Sequence, residues 1–387
     1  MAIPSAPMAD GPIVDGPIAD DPGPDAAGPH RRDRAGVPRV DVTLGVRAHV
    51  AADETALAAF KRLRKPPGDE EWARIVGEAE RAAAHWTAAG WVDEPAAFHA
   101  PPPPLFEPEF KASRASGIRV ERMKFPSAWT PPPGAPGRGR WLRYRENAVA
   151  RATVLRHARP GRPWVVCVHG TEMGRDSDLR SFRVRKLHAE LGCNVVLPVL
   201  PMHGPRKSAG GQFPTLDVLD NVYGLAQSAS DVRRILSWIR TQQPSGIGVL
   251  GVSLGGYVTA LVAGLETEPL ECVLPIIPAT DFPALFRRQS PPELVAKLDP
   301  LLAASAVVHS VVSPLRFETV TPRSRRALAA GLADKLIDPV EQVAPLWHHW
   351  DRPTIHWYPG GHVGHLVRRD LRSFIDVQLT RSGLARP

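Results

Sequence analysis

A serine between glycines lies in the middle of an uncharged run of twenty residues, Gly246 to Leu265. A serine hydroxyl can attack a carbonyl carbon when a base within hydrogen-bond reach takes its proton. The run is long enough for a membrane span. However, residues 246–252 have the length and β-branched content of a buried strand, and apolar residues recur at helical spacing over 254–265. We therefore predict a strand, a sharp turn at Ser253 and a helix.

The glycines around this serine have a physical reason in such a turn. Gly251 and Gly255 lie two residues before and two residues after Ser253. Small residues at these positions avoid clashes where a strand doubles back into a helix. The serine would then lie at a helix N-terminus, where backbone N–H groups and the helix dipole favour a developing negative charge. The pattern G-x-S-x-G is common by chance, so its surroundings must decide.

A base and an acid follow later in the chain. His362 comes directly after Gly360-Gly361 and a strand predicted at 353–358. Asp334 follows a short apolar stretch predicted as the preceding strand, residues 326–331. In a parallel sheet these two loops are neighbours. The carboxylate could then fix the imidazole tautomer and stabilise the imidazolium that forms during proton transfer.

Each of these assignments has alternatives. His365 lies three residues after His362, and both could face the site if the last helix begins early. Asp338 could be the acid, although it precedes a proline and resembles a helix N-cap. Asp281, after the predicted strand 271–278, is a further candidate for the acid. We favour Asp334 and His362.

The elements that must position these residues alternate between strand and helix from about residue 140. The predicted strands cover 164–170, 193–200, 246–252, 271–278, 326–331 and 353–358. The predicted helices cover 176–191, 216–241, 254–265, 339–350 and 364–384. This alternation predicts an α/β fold with a mostly parallel sheet flanked by helices, in which ligands bind at the carboxyl edge of the strands.

At this point residues 140–385 resemble the α/β-hydrolase superfamily. The resemblance is carried by His169-Gly170 after a strand, by Gly251–Gly255, by Gly331–Asp334 and by Gly360-Gly361-His362, in the family's order of serine, acid and histidine. It implies the α/β-hydrolase fold and a catalytic triad of Ser253, Asp334 and His362. Some members of the superfamily place the acid at the position of Asp281.

The resemblance also implies an oxyanion hole built from two backbone N–H groups. One would belong to Leu254, directly after the nucleophile, and the other to Thr171, in the loop after the His-Gly strand. The stretch 169–174 reads HGTEMG and departs from the HGGG pattern of one esterase branch. His169 is expected to anchor this loop. His203, at the end of the next predicted strand, is a candidate substrate contact.

Composition and sequence pattern divide the chain into three parts. Residues 1–40 are rich in Pro, Gly, Ala and Asp and predict a disordered tail. Residues 41–110 predict a helical N-terminal extension ending in a linker with four consecutive prolines, Pro101–Pro104. Residues 111–387 would form the hydrolase domain, with a helical lid insertion at about 281–324, including a helix at 292–302.

Charge and cysteine content exclude some classes of partner. The formal net charge is +8, but the arginines are interspersed with acids and form no long run, so we expect a solvated surface and no nucleic-acid partner. The three cysteines have no metal-binding spacing and lie in apolar runs. The first residues do not predict a secretory signal. We therefore expect a cytoplasmic protein without metal, organic cofactor or stable membrane insertion.

The sequence thus predicts a serine hydrolase that cleaves carboxylic esters or thioesters of a small molecule through an acyl-enzyme. Two alternatives stay open. The same triad could transfer the acyl group to an alcohol or amine, or the fold could serve a non-catalytic binding protein. Substrate identity and oligomeric state are not predicted.

Overall fold

One mixed sheet organises the chain. The computed structural model describes residues 35–41, 43–63, 67–290, 292–363 and 368–385, so most of the predicted tail lies outside the described residues. The strands pair in the order β1-β2-β3-β5-β4-β6-β7-β8-β9. Their bounds are β1 Glu109–Ala115, β2 Ile118–Pro126, β3 Val149–Leu155, β4 Trp164–Val168, β5 Asn194–Val199, β6 Ile247–Val252, β7 Cys272–Ile276, β8 Ala327–Gly331 and β9 Thr354–Tyr358.

The predicted parallel part of the sheet is confirmed. From β5 to β9 every neighbouring pair of strands runs parallel. The first three strands, which the sequence pattern did not predict, pair antiparallel with one another and with β5. A tight turn joins β1 to β2, with φ of 48° at Ser116 and 79° at Gly117. Positive φ at two successive residues is typical of a two-residue hairpin, whose handedness matches the strand twist.

Helices cover both faces of the sheet. Their bounds are α1 Leu44–Leu63, α2 Asp69–Ala88, α3 Arg138–Arg143, α4 Asp178–Ser181, α5 Val218–Thr241, α6 Leu254–Leu265, α7 Phe282–Gln289, α8 Pro292–His309, α9 Ala344–His349 and α10 Arg369–Arg381. The continuous helix predicted at 176–191 is wrong. Only the short α4 and one π-helical turn form there, because Arg183, with φ of 50°, interrupts the helical path.

The insertion between β7 and β8 packs against the N-terminal part of the chain. It carries α7 and α8, and α8 packs against both α2 and the long central helix α5. The side chains of α2 that are buried in this contact region include Ile75, Ala79 and Trp86. The predicted lid insertion and α2 of the predicted N-terminal extension therefore pack against each other and against α5.

Ion pairs fasten α2 to the rest of the molecule. Arg74 of α2 pairs with Asp217, the N-cap of α5, and Arg140 pairs with both Glu78 and Asp217. All of these side chains are at least two-thirds shielded from solvent. A network of this kind is held more firmly than an isolated surface pair.

Candidate active site

Ser253 occupies a strained turn between β6 and α6. Its backbone has φ of 56° and ψ of −115°, outside the regions that a serine ordinarily adopts. The turn requires the flanking glycines: a β-carbon at Gly255 would lie 2.1 Å from the carbonyl oxygen of Val168, and one at Gly251 would lie 2.1 Å from the carbonyl oxygen of Gly255. The serine is thereby held above the carboxyl end of the central strands.

The side chains of three residues predicted from the sequence meet at this turn. The Nε2 atom of His362 lies 3.1 Å from Oγ of Ser253, and its Nδ1 atom lies 2.7 Å from Oδ2 of Asp334. The second carboxylate oxygen of Asp334 accepts hydrogen bonds from the backbone N–H groups of Leu336 and Ile337 at 2.9 and 2.8 Å. The carboxylate is therefore oriented from both sides, and the imidazole lies between it and the hydroxyl.

Burial and neighbouring charges shift the pKa values of His362 and Asp334. Burial by itself would lower the pKa of His362, but the negative charge of Asp334 and the hydrogen bond to it raise that pKa above its ordinary value of 6.5. Burial raises the pKa of Asp334, while the His362 charge and hydrogen bond act in the opposite direction. An imidazole whose pKa is raised by a fixed carboxylate is a stronger base for a serine proton.

The raised pKa of His362 leads to a pH prediction. Only the neutral imidazole can take the serine proton, so kcat/KM should fall as the pH decreases through the pKa of His362 in the free protein. Because that pKa is raised, the acid limb should have its midpoint above 6.5. Initial rates with a p-nitrophenyl ester between pH 5 and 9 measure it. A midpoint well below 6.5 would contradict the described contact between His362 and Asp334.

The alternative acids are engaged elsewhere. Asp338 accepts hydrogen bonds from the N–H groups of Val340 and Glu341 and pairs with Arg288 at 2.7 Å. Asp281 caps α7 by accepting from the N–H of Ala284 at 3.0 Å. Both therefore act as helix caps, as the proline after Asp338 indicated. The alternative base, His365, lies outside the described residues.

The loop after β4 lies directly beside Ser253. A β-carbon at Gly170 would lie 3.5 Å from Cβ of Ser253 and 3.2 Å from the carbonyl oxygen of Val252. His169 anchors this loop: its Nε2 accepts a hydrogen bond from the N–H of Leu200 at 3.0 Å, and its Nδ1 lies 2.8 Å from the carbonyl oxygen of Gly170. Burial lowers the pKa of His169 to about 3, so its ring is neutral.

Comparison with known proteins shows the superfamily of the chain. Residues 145–286 match the family described as "Alpha/beta hydrolase domain containing 18". Two proteins of Mycobacterium tuberculosis are each 42% identical over 359 residues, covering 90% of this chain and 85% of the relative. They are "Uncharacterized protein MT2702" of strain CDC 1551 / Oshkosh and "Uncharacterized protein Rv2627c" of strain ATCC 25618 / H37Rv. The chain belongs to the α/β-hydrolase superfamily.

Solved structures agree with this fold. Acetyl xylan esterase 1 from Thermoanaerobacterium sp. JW/SL YS485 aligns with a TM-score of 0.53 and 16% identity, over 76% of this chain and 93% of that one. The acetyl xylan esterase from Paenibacillus sp. R4 aligns with a TM-score of 0.51 and 15% identity, over 79% and 94%. At this identity the likeness concerns the fold alone.

The α/β-hydrolase has a cavity next to the loop after β4. Its volume is about 430 Å³, within the range of small-molecule sites. Its lining includes Glu172 and Met173, which follow Thr171 in the loop, together with the candidate contact His203. His203 is buried, with Nδ1 2.8 Å from the carbonyl oxygen of Pro201 and its ring in edge contact with the rings of His169 and Phe213.

One residue at the site was not predicted from the sequence. Asp53 of α1 is fully buried, and its carboxylate accepts hydrogen bonds from backbone N–H groups in the loops of both Asp334 and His362. It lies in the alanine-rich stretch AADETALAAF, 281 residues before Asp334, and no local pattern distinguishes it from Glu54 beside it. Gly361, directly before His362, lies against this carboxylate.

In the part of the chain that the structure describes, no group of three or more His, Cys, Asp and Glu side chains is arranged to hold a metal ion. No helix within that part is both long and apolar enough to cross a membrane. The uncharged run at 246–265 is instead divided between β6 and α6.

Proposed function

We propose that this α/β-hydrolase cleaves carboxylic esters or thioesters of small molecules through an acyl-enzyme intermediate. Ser253 would attack the carbonyl carbon while His362 takes the hydroxyl proton. The same imidazole would then give that proton to the leaving group, and water would release the acyl group by the reverse sequence. Asp334 would hold His362 in the required tautomer. The observation that carries the proposal is the chain of contacts from Asp334 through His362 to Ser253.

An oxyanion hole fits the same proposal. Leu254 is the first residue of α6, and the N–H groups of a first helical turn have no acceptor within their helix. We assign the second donor to Thr171, whose neighbour Gly170 lies against Ser253. Two such donors beside the attacked carbonyl would stabilise the tetrahedral intermediate, and loss of one typically costs about a hundredfold or more in rate.

The cavity next to this loop supports a small-molecule substrate. We place the part of the substrate that leaves with the alcohol or thiol in the 430 Å³ cavity, where His203 would contact it. Arg175 and Lys207 also line this cavity, so polar or acidic leaving groups would be tolerated there. No organic cofactor takes part in the proposed reaction.

Labelling with a fluorophosphonate tests the proposal. Such a probe reacts with a serine only when the hydroxyl is activated by a base. We expect the wild-type protein to be labelled, Ser253→Ala and His362→Ala to be unlabelled, and Ser290→Ala, changed at a serine on the C-terminal side of α7, to react like wild type. A series of p-nitrophenyl esters of increasing chain length, measured alongside, would give the size of the acyl pocket.

The possible outcomes separate the three functions. Labelling that depends on both residues, with ester hydrolysis, supports the hydrolase. Labelling with acyl transfer to an added alcohol or amine in preference to water would favour the acyltransferase. A folded wild-type protein that is neither labelled nor active on esters would set the enzyme aside and favour a binding protein.

A further inference from the structure

Helix α1 is attached to the domain in an unusual way. Among its side chains that the structure describes, residues 44–58, only Val46 and Asp53 are buried, and Leu44 is 84% exposed. A surface helix ordinarily buries an apolar stripe, and a fully buried carboxylate is rare unless it is paired or hydrogen-bonded. Within residues 44–58, one polar group is therefore a main contact of α1 with the domain.

That group binds both loops of the proposed triad. Oδ2 of Asp53 accepts hydrogen bonds from the backbone N–H of His362 at 2.7 Å and of Lys335 at 3.1 Å, while Oδ1 accepts from the N–H of Val363 at 3.0 Å. Lys335 directly follows Asp334. The carboxylate thus bridges the residue that carries the imidazole and the loop that carries its acid, without contacting the reacting atoms.

Gly361, directly before His362, has no β-carbon and so leaves space for this carboxylate. A β-carbon at Gly361 would lie 2.4 Å from Oδ2 and 2.7 Å from Cγ of Asp53. Any residue other than glycine would displace the carboxylate from the three N–H groups. The glycine before the histidine therefore makes room for a side chain from the N-terminal extension.

Asp53 also contributes to the charge of the site. Its negative charge raises the pKa of His362, in addition to the larger effect of Asp334. It acts on Asp334 in the same direction. A carboxylate that accepts hydrogen bonds from three N–H groups strongly holds the backbone that donates them.

We infer that Asp53 is a positioning residue for the proposed triad, through which α1 completes the active site. This inference rests on the proposed function. Without the carboxylate, the backbone N–H of His362 loses its hydrogen bond to α1, and the imidazole is held less firmly at its 3.1 Å contact with Ser253. A displacement of about 1 Å at a reacting group can cost about a hundredfold in rate.

The test compares Asp53→Asn with Glu54→Gln in the full chain. Asn keeps the shape, but its NH2 group donates and cannot accept, so it cannot satisfy N–H groups on both sides. We expect kcat of Asp53→Asn to fall about a hundredfold with KM little changed, because the substrate cavity is not lined by α1. Glu54, the exposed neighbour, should give wild-type rates on substitution.

A pH profile distinguishes positioning from a loss of folded protein. Removal of the Asp53 charge should lower the pKa of His362, so the acid limb of kcat/KM should move to lower pH even as the maximal rate falls. A smaller fraction of folded protein would scale the whole profile without moving the limb. Asp53→Glu, which keeps the charge, should keep the limb near its wild-type position. An unchanged limb and an unchanged kcat in folded Asp53→Asn would overturn the inference.

A second measurement is independent of the reaction. Amide hydrogen exchange should be faster at His362 and Val363 in Asp53→Asn than in the wild type, and unchanged in Glu54→Gln. If the wild-type protein shows no esterase activity or labelling, the proposed function fails, while exchange and the NMR titration of His362 still report the position of Asp53. Unchanged exchange and an unchanged His362 titration would refute the inference in either case.

Discussion

Asp334→Asn should lower kcat for ester hydrolysis about ten-thousandfold, the scale of loss found when a triad acid loses its charge but not its shape. The reason lies in the contacts of the two oxygens. Oδ1 accepts from the N–H groups of Leu336 and Ile337, so an asparagine would keep its carbonyl oxygen there. Its NH2 group would then face Nδ1 of His362, at the position where Oδ2 now accepts.

That orientation would select the wrong tautomer of the imidazole. Nδ1 would have to accept a hydrogen bond, so the proton would lie on Nε2, which faces Ser253. An imidazole protonated on Nε2 cannot take the serine proton. Rates with p-nitrophenyl acetate, together with fluorophosphonate labelling, would measure the loss in a protein whose thermal unfolding shows that it is folded.

Asp338→Asn is the matched control. Asp338 lies four residues later and caps the helical turn at residues 339–343. Its replacement should cost about 1 kcal/mol of stability at most, with activity close to wild type. An active Asp334→Asn beside an inactive Asp338→Asn would move the role of the acid from Asp334 to Asp338.

The sequence predicted the parts of this site that depend on short stretches of chain. The turn at Ser253 follows from two glycines within five residues, because their missing β-carbons decide whether the strand can double back. Asp334 and His362 follow from their places after apolar strands, since parallel strands bring their carboxyl ends to one edge. In each of these cases the deciding interactions are local or follow from the topology.

Asp53 could not be predicted because its partners are backbone N–H groups about 300 residues away in the chain. A backbone donor has no residue type, so no pattern at 335 or 362 indicates an acceptor. The strands β1 and β2 were missed for a different reason. Arg122 and Lys124 of β2 alternate with the buried Met123 and Phe125. Charged residues weaken the strand signal even where such alternation is present.

The helix predicted at 176–191 shows the opposite error. The stretch has helical composition, but the helical path is interrupted at Arg183, where φ is 50°. Asp178 instead accepts hydrogen bonds from the N–H groups of Gly174 and Arg175 in the loop after β4. Tertiary contacts there override the weak local preference. Asp178 thereby anchors the loop that carries Gly170 and Thr171.

Gly255→Ala should destabilise the protein by about 3 kcal/mol or more and abolish ester hydrolysis. The added β-carbon would lie 2.1 Å from the carbonyl oxygen of Val168 and 2.5 Å from that of His169. The oxygen of Val168 cannot readily retreat, because Val168 is paired with Gly251 of β6 and all side chains of β4 are buried. The start of α6 would have to move away from β4 instead, carrying the N–H of Leu254 out of the proposed oxyanion hole.

Gly139→Ala is the control for this change, since Gly139 lies within α3, at ordinary φ, and a β-carbon there meets no atom within 4 Å. Alanine should therefore raise stability slightly, by about 0.5–1 kcal/mol, because it restricts the unfolded chain. Urea unfolding of the two variants would give free energies of opposite sign relative to wild type. If Gly255→Ala kept wild-type stability and activity, the close approach of α6 to β4 would be wrong, and with it the geometry that presents Ser253.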